Sequence, residues 1–162
     1  MISSTAAPNN NWHFVASEIE LVITEADPQA RLIREIDGQP AAIAYAEAIG
    51  MSVEALNPQV FSTYPLLLTI AGEPYVRSIM RVNEDLSLTC YCAIEEAMVV
   101  SVGKAVDVIA TLQEGFAEMR EEVPDPALVI GSDCILRRIE FGQTQMQGPV
   151  GDFMAAQRVF GF

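Results

Sequence analysis

A change in hydrophobic periodicity near residue 104 constrains the fold of this chain more than any other feature of its sequence. Before it, apolar residues recur with the two-residue period of β-strands, in runs separated by short turns of Gly, Pro, Asn and Asp. After it, residues 104–123 carry apolar side chains at every third or fourth position, the period of an amphipathic helix. The sequence therefore predicts an α+β fold, an antiparallel or mixed β-sheet packed with amphipathic helices.

The β-runs predict one hairpin followed by an antiparallel meander. Residues 18–27 and 31–39 form the hairpin, because Asp27-Pro28 is a turn signal. The meander is expected from four further runs joined by short turns: YPLLLTIAG, EPYVRSIMRVN, LSLTCYCAI and AMVVSVG. In the second of these runs, the two-residue period places Arg77 and Arg81 on one face of a single strand.

Helices are expected between and after these strands. Pro40 begins a helix that Gly50 ends, and a short helical segment with Ser52 as its N-cap is expected to stop at Pro58. The helix at about residues 104–122 is expected to cover the sheet with one apolar stripe. That stripe consists of Val106, Ile109, Leu112, Phe116 and Met119. A buried strand at 127–131 is expected to join the sheet, followed by a helix in CILRRIEFGQTQM and by a short helix and a strand start in GPVGDFMAAQRVFGF.

The length and composition predict one domain with a single core. The chain has 162 residues, 51% of them hydrophobic. No apolar run reaches the roughly 18 to 20 residues that span a bilayer, and the N-terminus lacks the pattern of a signal peptide. We therefore expect a cytoplasmic protein. Residues 1–11 lack periodicity and are expected to form a disordered linker.

The charge of the chain argues against two classes of partner. The formal net charge is −13, so neither nucleic acid nor an anionic membrane is an expected partner. Lys104 is the only lysine, and the eight arginines therefore make up nearly all of the cationic side chains. Gly-rich phosphate loops and the HExxH and GxSxG motifs are absent from the sequence.

The three cysteines predict free thiols and not a disulfide or a metal site. Cys90 and Cys92 lie two apart in a β-run, so both are expected on one face of a strand, where a disulfide does not form easily. Metal binding would need Cys134 or His13, the only histidine, close by. A cysteine of this kind is usually buried and unreactive.

The segment GSDCILRR, residues 131–138, is the candidate ligand site. It lies where the strand at 127–131 feeds a helix, and in sheets with helical crossovers ligands bind at such carboxyl ends of strands. Ser132 or Asp133 is expected to cap the helix, and either Arg137 or Arg138 is expected to face an anion. The other arginine is expected to pair with Asp133 or Glu140.

In its order of motifs the chain resembles the C-terminal half of the FIST domain, named after F-box and intracellular signal transduction proteins. The resemblance covers roughly residues 12–162 and lacks the N-terminal half of the domain. It rests on Asp37-Gly38 with Pro40-Ala41, Tyr45 and Gly50, on Val76-Arg77-Ser78, on the turn NEDLSL at 83–88, on Cys134 with Arg137, and on Gly148-Pro149-Val150 and Phe160-Gly161-Phe162. The chain stops before the family's closing segment does, so a domain cut short at its C-terminus is expected.

The resemblance implies a sensory domain that binds a small ligand, such as an amino acid or another small carboxylate, and relays a signal. The implied partners are the N-terminal FIST half and a signalling protein such as a histidine kinase or a cyclic-di-nucleotide enzyme. The implied ligand-binding residues are Arg77, Ser78, Asp133, Cys134 and Arg137. We expect neither enzymatic activity nor a cofactor.

Three other functions are kept as alternatives. One is a protein-interaction or dimerisation module without a ligand, which predicts a flat apolar patch in place of a concave polar pocket. Another is a hydrolase with Cys134 as its nucleophile, since a helix N-terminus stabilises a thiolate. The third is a haem-based sensor that uses His13, because some relatives bind haem.

Overall fold

The computed structural model describes residues 14–132 and 135–161, leaving out the side chains of 135 and 136, and the chain divides into two compact units. The first unit comprises residues 14–105, and the second takes in the described residues from 106 onwards. The length predicted a single core, whereas the buried apolar side chains form two separate clusters, one in each unit.

The first unit is an antiparallel sheet with two short α-helices. Its strands are β1 (Phe14–Asp27), β2 (Leu32–Ile36), β3 (Gln39–Pro40), β4 (Leu66–Ile70), β5 (Glu73–Arg77), β6 (Ile79–Val82), β7 (Leu88–Cys90) and β8 (Val99–Ala105). Its helices are α1 (Ala41–Ala48) and α2 (Pro58–Thr63), with a 3₁₀ turn at Val53–Ala55. The predicted hairpin is confirmed, because β1 and β2 pair antiparallel.

The order of the strands is not that of a meander. The sheet runs β5-β4-β8-β1-β2-β7-β6, with β3 on β2, so β8 lies between β4 and β1. Although β5 and β6 lie at opposite ends of this order, only Ser78 separates them in the chain. The sheet must therefore curl until its two ends meet at that residue. Irregularities in the pairing of β1, after Ala16 and after Ile23, allow the bending that this curl needs.

Helix α1 covers the inside of the curled sheet. It is rich in alanine, and its small buried side chains let its backbone lie close to the strands. The Tyr45 hydroxyl is fully buried and donates a hydrogen bond of 2.7 Å to the Tyr64 carbonyl oxygen. The largest fully buried apolar residues of this core are Phe61, Ile23, Ile33, Ile36, Leu66, Ile79, Leu88, Ile94 and Val100.

Pro58 begins a helix that the sequence analysis did not predict. The short segment expected after Ser52 is present as the 3₁₀ turn Val53–Ala55, with Ser52 as its N-cap, and it ends before Pro58. The Asn57 side chain accepts hydrogen bonds from the backbone N–H groups of Gln59, at 2.9 Å, and Val60, at 3.1 Å. Asn57 is therefore the N-cap of α2, and Pro58, which lacks an N–H, occupies the first helical position. An Asn-Pro pair before apolar residues is the signal that would have predicted this helix.

The second unit packs three helices with a parallel pair of strands. Its elements are α3 (Val108–Glu122), β9 (Val129–Gly131), α4 (Ile135–Gln143), α5 (Gln147–Ala156) and β10 (Val159–Gly161). Asp107 caps α3 by accepting hydrogen bonds from the N–H groups of Ile109 and Ala110. The core of this unit consists of Val108, Leu112, Phe116, Phe141 and Val150.

The prediction that the strand at 127–131 joins the antiparallel sheet was wrong. Strand β9 pairs in parallel with β10, and these two strands form their own sheet. Parallel neighbours need a long crossover connection, which the two helices α4 and α5 supply. The helix expected at about 104–122 is present as α3, and Leu112 and Phe116 of its predicted stripe are buried in the core of this second unit. The α+β fold class is confirmed.

Candidate functional site

A cavity of about 290 Å³ opens at the carboxyl ends of β9 and β10. Gly131 and Gly161 end these two strands, and Ser132 follows the first of them. In sheets with helical crossovers, ligands bind outside the carboxyl ends of the strands. The residues that line the cavity are Leu112, Gly131, Ser132, Arg137, Arg138, Phe141, Val150, Met154, Val159 and Gly161.

Helix α4 brings two guanidinium groups to the cavity. Arg137 and Arg138 both line it, whereas the sequence analysis expected only one of them there. Arg137 is partly buried and Arg138 is exposed. Phe141 lies one turn after Arg137 and brings an apolar ring to the same cavity. The helix therefore presents both cationic and apolar groups to a ligand.

The floor of the cavity is apolar and comes from four elements. Leu112 of α3 and Phe141 of α4 are buried, and Val159 of β10 packs against the same core. Val150 and Met154 lie four residues apart on α5, so they share one face of that helix. The sequence analysis did not place α5 in the site, although the i, i+4 spacing of these two residues was its detectable signal.

Two glycines are required where the strands end. Gly131 and Gly161 are directly paired across the two strands. A Cβ atom on Gly131 would lie 2.9 Å from Cγ1 of Val159, and one on Gly161 would collide with the backbone of Gly131. Only residues without a side chain let the strands approach this closely, so these glycines shape the mouth of the cavity.

Glu140 is a buried acid on α4, close to Arg137 along the helix. It is 6% exposed and lies three residues after Arg137. Burial raises the pKa of its carboxyl to about 7, while the Arg137 guanidinium acts in the opposite direction. The carboxyl therefore changes its charge near neutral pH.

Arg77 and Ser78 lie in the first unit, at the corner where the curled sheet closes. The carbonyl oxygen of Ser78 accepts a hydrogen bond of 2.9 Å from the N–H of Tyr91. Arg77 is partly buried, and its Nε is buried without a hydrogen-bond partner among the described residues. The strand expected to carry both Arg77 and Arg81 is broken at Ser78, and Arg81 is exposed and donates from Nε to Asn83 Oδ1 at 3.1 Å. A ligand-binding role for Arg77 and Ser78 stays a prediction.

Cys90 and Cys92 are free thiols, as predicted, but they do not share a strand. Strand β7 ends at Cys90, and Cys92 lies beyond it, because the chain turns away after the strand. Burial raises the pKa of Cys90 to about 12. Burial also raises the pKa of Cys92, although the Arg77 guanidinium and the Ser78 backbone act against it. Both are therefore poor nucleophiles at neutral pH.

Two motifs of the family resemblance build turns of the first unit. Asp37 has a φ of 52° and its carboxylate accepts a hydrogen bond of 3.0 Å from the N–H of Val22. In the turn at 83–88, the Asn83 amide donates to the Ser87 hydroxyl, which in turn donates to the Asp85 carboxylate at 2.6 Å. The hydrogen bonds that the side chain and backbone of Ser87 donate lower the pKa of Asp85. These motifs therefore stabilise the fold.

Three residues of the sequence analysis, Asp133, Cys134 and His13, lie outside the described residues. A helix cap at Asp133, a reactive thiol at Cys134 and haem ligation by His13 therefore remain predictions. In the part of the chain that the structure does describe, no cluster of three or more His, Cys, Asp or Glu side chains could hold a metal ion. None of the helices within 14–132 and 135–161 is long and apolar enough to cross a membrane.

Comparison with known proteins places the chain in a family. No curated protein and no solved structure matches it. A family model described as the FIST C domain matches residues 41–162, which is about three quarters of the chain. The match begins at the first residue of α1 and includes every residue that lines the cavity. The chain therefore belongs to the FIST C domain family, which is associated with the sensory domains of signal transduction.

Proposed function

We propose that this chain is a sensory domain that binds a small anionic metabolite, an amino acid or another small carboxylate, in the cavity at the ends of β9 and β10. The observation that carries the proposal is the presence of two guanidinium groups above an apolar floor in one cavity. A guanidinium matches a carboxylate in a bidentate geometry, and the hydrogen bonds it makes are charge-assisted. Asp133 and Cys134 belong to the same connection between β9 and α4 and complete the proposed site.

The distribution of charge supports an anionic ligand. The chain has a net charge of −13, yet two of its eight arginines line this cavity. Arg138 is exposed and lines the cavity, so its guanidinium can meet a ligand that enters from solvent. Small-molecule binding pockets typically combine apolar walls with a few polar groups that orient the ligand, and this cavity has that composition.

Signalling would follow from a difference in affinity between two conformations. A ligand shifts a conformational equilibrium only if it binds one state more tightly than the other. The partners proposed to respond to that conformational shift are the N-terminal FIST half and a signalling protein such as a histidine kinase or a cyclic-di-nucleotide enzyme. In this role the domain binds its ligand without converting it and uses no cofactor.

The proposal is tested by a thermal-shift screen of amino acids and small carboxylates against the chain. A ligand at about 100 times its dissociation constant adds about 2.7 kcal/mol to the free energy of unfolding, which shifts the melting temperature measurably. We expect the shift to be lost in Arg137→Gln. It should be kept in Arg158→Gln, a control in the same unit that removes the same charge from a residue outside the cavity. Equal shifts in the two variants would refute the proposed site.

A second candidate function is protein interaction, and one surface favours it. Ile130 is 75% exposed and Phe160 is 67% exposed, and these two residues are paired across β9 and β10. Leu128, beside them, is 54% exposed. Parallel strands are normally covered on both faces, so an exposed apolar face on this pair is typical of a contact surface. Phe160→Ser should abolish self-association or partner binding under this hypothesis and leave ligand binding intact.

A further inference from the structure

We infer that the corner where the curled sheet of the first unit closes is a binding site for Cu(I), which the thiols of Cys90 and Cys92 hold beside the Arg77 guanidinium. This site belongs to the first unit and shares no residue with the cavity of the proposed function. It is therefore a second site, whose ligand is a metal ion and not a metabolite.

Both cysteine side chains point towards the core of the first unit. Cys90 belongs to that core, and Cys92 packs against it. Tyr91, the residue between them, is 49% exposed, so its side chain points the other way. Burial raises the pKa of Cys90, and the Cys92 thiol raises it further, so the two thiols are close enough to interact. The chain thus brings two metal-binding side chains to one place.

The pairing of the strands brings Arg77 to the same corner. The Tyr91 N–H donates a hydrogen bond of 2.9 Å to the Ser78 carbonyl oxygen, which continues the antiparallel order of β6 and β7 past the end of β7. The next residues in that order are Arg77 and Cys92. Burial raises the pKa of both thiols, and the Arg77 guanidinium acts against it in each case. The guanidinium and the two thiols therefore form one cluster.

Arg77 carries a buried donor that needs an acceptor. Its Nε is buried and has no hydrogen-bond partner among the described residues. Its Nη1 donates to the Val76 carbonyl oxygen at 3.4 Å, which is a long hydrogen bond. Buried donors are nearly always paired, so an unpaired donor on a cation indicates a place for an anionic group.

Two thiols favour a soft ion that needs only two ligands. Thiolates select Cu(I), and two of them suffice to coordinate it, whereas zinc takes four ligands. In the described part of the chain, no group of three or more His, Cys, Asp or Glu side chains could hold a metal ion. The sequence analysis required a third ligand for a metal, and Cu(I) removes that requirement.

The charge of the copper complex matches its surroundings. One Cu(I) and two thiols give a bis-thiolate complex and release two protons, and the copper stays Cu(I) throughout. The complex carries one negative charge, which the Arg77 guanidinium balances, and its sulfur atoms can accept a hydrogen bond from Nε. Arg31 is exposed, and its guanidinium also favours the thiolate form of Cys92.

The test is an anaerobic titration of the full chain with Cu(I) in competition with bicinchoninate, a chelator that is coloured when it holds Cu(I). We expect the chain to take up one Cu(I) and Cys92→Ser to lose this uptake. Cys92 is only partly buried, so the variant should keep the fold, which far-UV circular dichroism checks. Cys134→Ser is the matched control, because it removes a thiol outside the pair, and it should take up one Cu(I) as the parent chain does.

A second variant tests the charge of the guanidinium. Arg77→Gln should weaken Cu(I) binding at least about tenfold, because the negative complex loses its counter-charge. Hg(II) forms a neutral complex with two thiolates, so its affinity, measured in competition with glutathione, should stay the same in this variant. Arg81→Gln is the matched control, because it removes the same charge from an exposed position in the first unit, and it should change neither affinity.

Three results would overturn the inference. The first is a full chain that takes up no Cu(I) from bicinchoninate, and the second is uptake that persists in Cys92→Ser or disappears in Cys134→Ser. The third is an Arg77→Gln variant that binds Cu(I) as tightly as the parent chain, or that loses affinity for Cu(I) and Hg(II) alike. None of these results bears on carboxylate binding in the second unit, so the two proposals fail separately.

Discussion

Replacing Glu140 with glutamine tests whether the ionised form of this buried carboxyl lowers the free energy of unfolding of the second unit. Burial raises the pKa of this carboxyl from 4.5 to about 7 in the folded chain. Between these two values the folded state binds a proton that the unfolded state does not. The free energy of unfolding therefore falls as the pH rises from about 4.5 to about 7, and this carboxyl causes no further change above that.

The size of the effect follows from the pKa difference. One pKa unit corresponds to about 1.36 kcal/mol, so the ionised carboxyl costs the folded state about 3 kcal/mol once both states are deprotonated. At about pH 5 most of this cost is absent, and at about pH 8 it is nearly complete. Glutamine stays neutral, so the stability of Glu140→Gln relative to the parent chain should rise by about 2 kcal/mol between these two pH values.

The assay is urea unfolding followed by far-UV circular dichroism at both pH values. Glu118→Gln is the matched control, because it removes one negative charge from an exposed position in the same unit. In a ¹³C-labelled chain, the Glu140 side-chain resonance should titrate with a midpoint near 7. A stability difference that is the same at both pH values, together with a midpoint near 4.5, would refute the reasoning.

Three further predictions concern the folding of the two units. Gly161→Ala should lower the melting temperature of the second unit and abolish ligand binding, because a Cβ atom at this position collides with the backbone of β9. Gly148→Ala is the control: a Cβ atom there meets no atom within 4 Å, so neither the melting temperature nor ligand binding should change. Tyr45→Phe should lower the free energy of unfolding of the first unit by about 1 to 2 kcal/mol in urea titrations, since the Tyr64 carbonyl loses the 2.7 Å hydrogen bond from the buried Tyr45 hydroxyl. A chain without residues 14–40 lacks the central strands β1 and β2, although they precede the family match. It should show no folded sheet in NMR spectra, and a folded spectrum would contradict the strand order.

Local patterns predicted the strand and the helix that flank the candidate site. The strand and helix around GSDCILRR appear as β9 and α4, and Arg137 lines a cavity at the place where the strand–helix order indicated one. The position of the cavity could be predicted because the residues between a strand and the following helix lie at the carboxyl end of that strand. This holds whichever strands pair with it. Val150 and Met154 were not predicted as site residues. Apolar residues that line a cavity have the same spacing along a helix as apolar residues buried in an ordinary core.

The sequence by itself determined the α+β class, the β1–β2 hairpin and the helices α1, α3 and α4. Each of these depends on residues close together in the chain, through hydrophobic period, turn signals and capping. Only the tertiary structure decided that β8 lies between β4 and β1 and that β9 pairs with β10 and not with the larger sheet. The alternation of apolar and polar residues along a strand does not depend on which strand pairs with it. Its partner is chosen by the curl of the sheet and by close approaches such as that of Gly131 and Gly161, which join residues far apart in the chain.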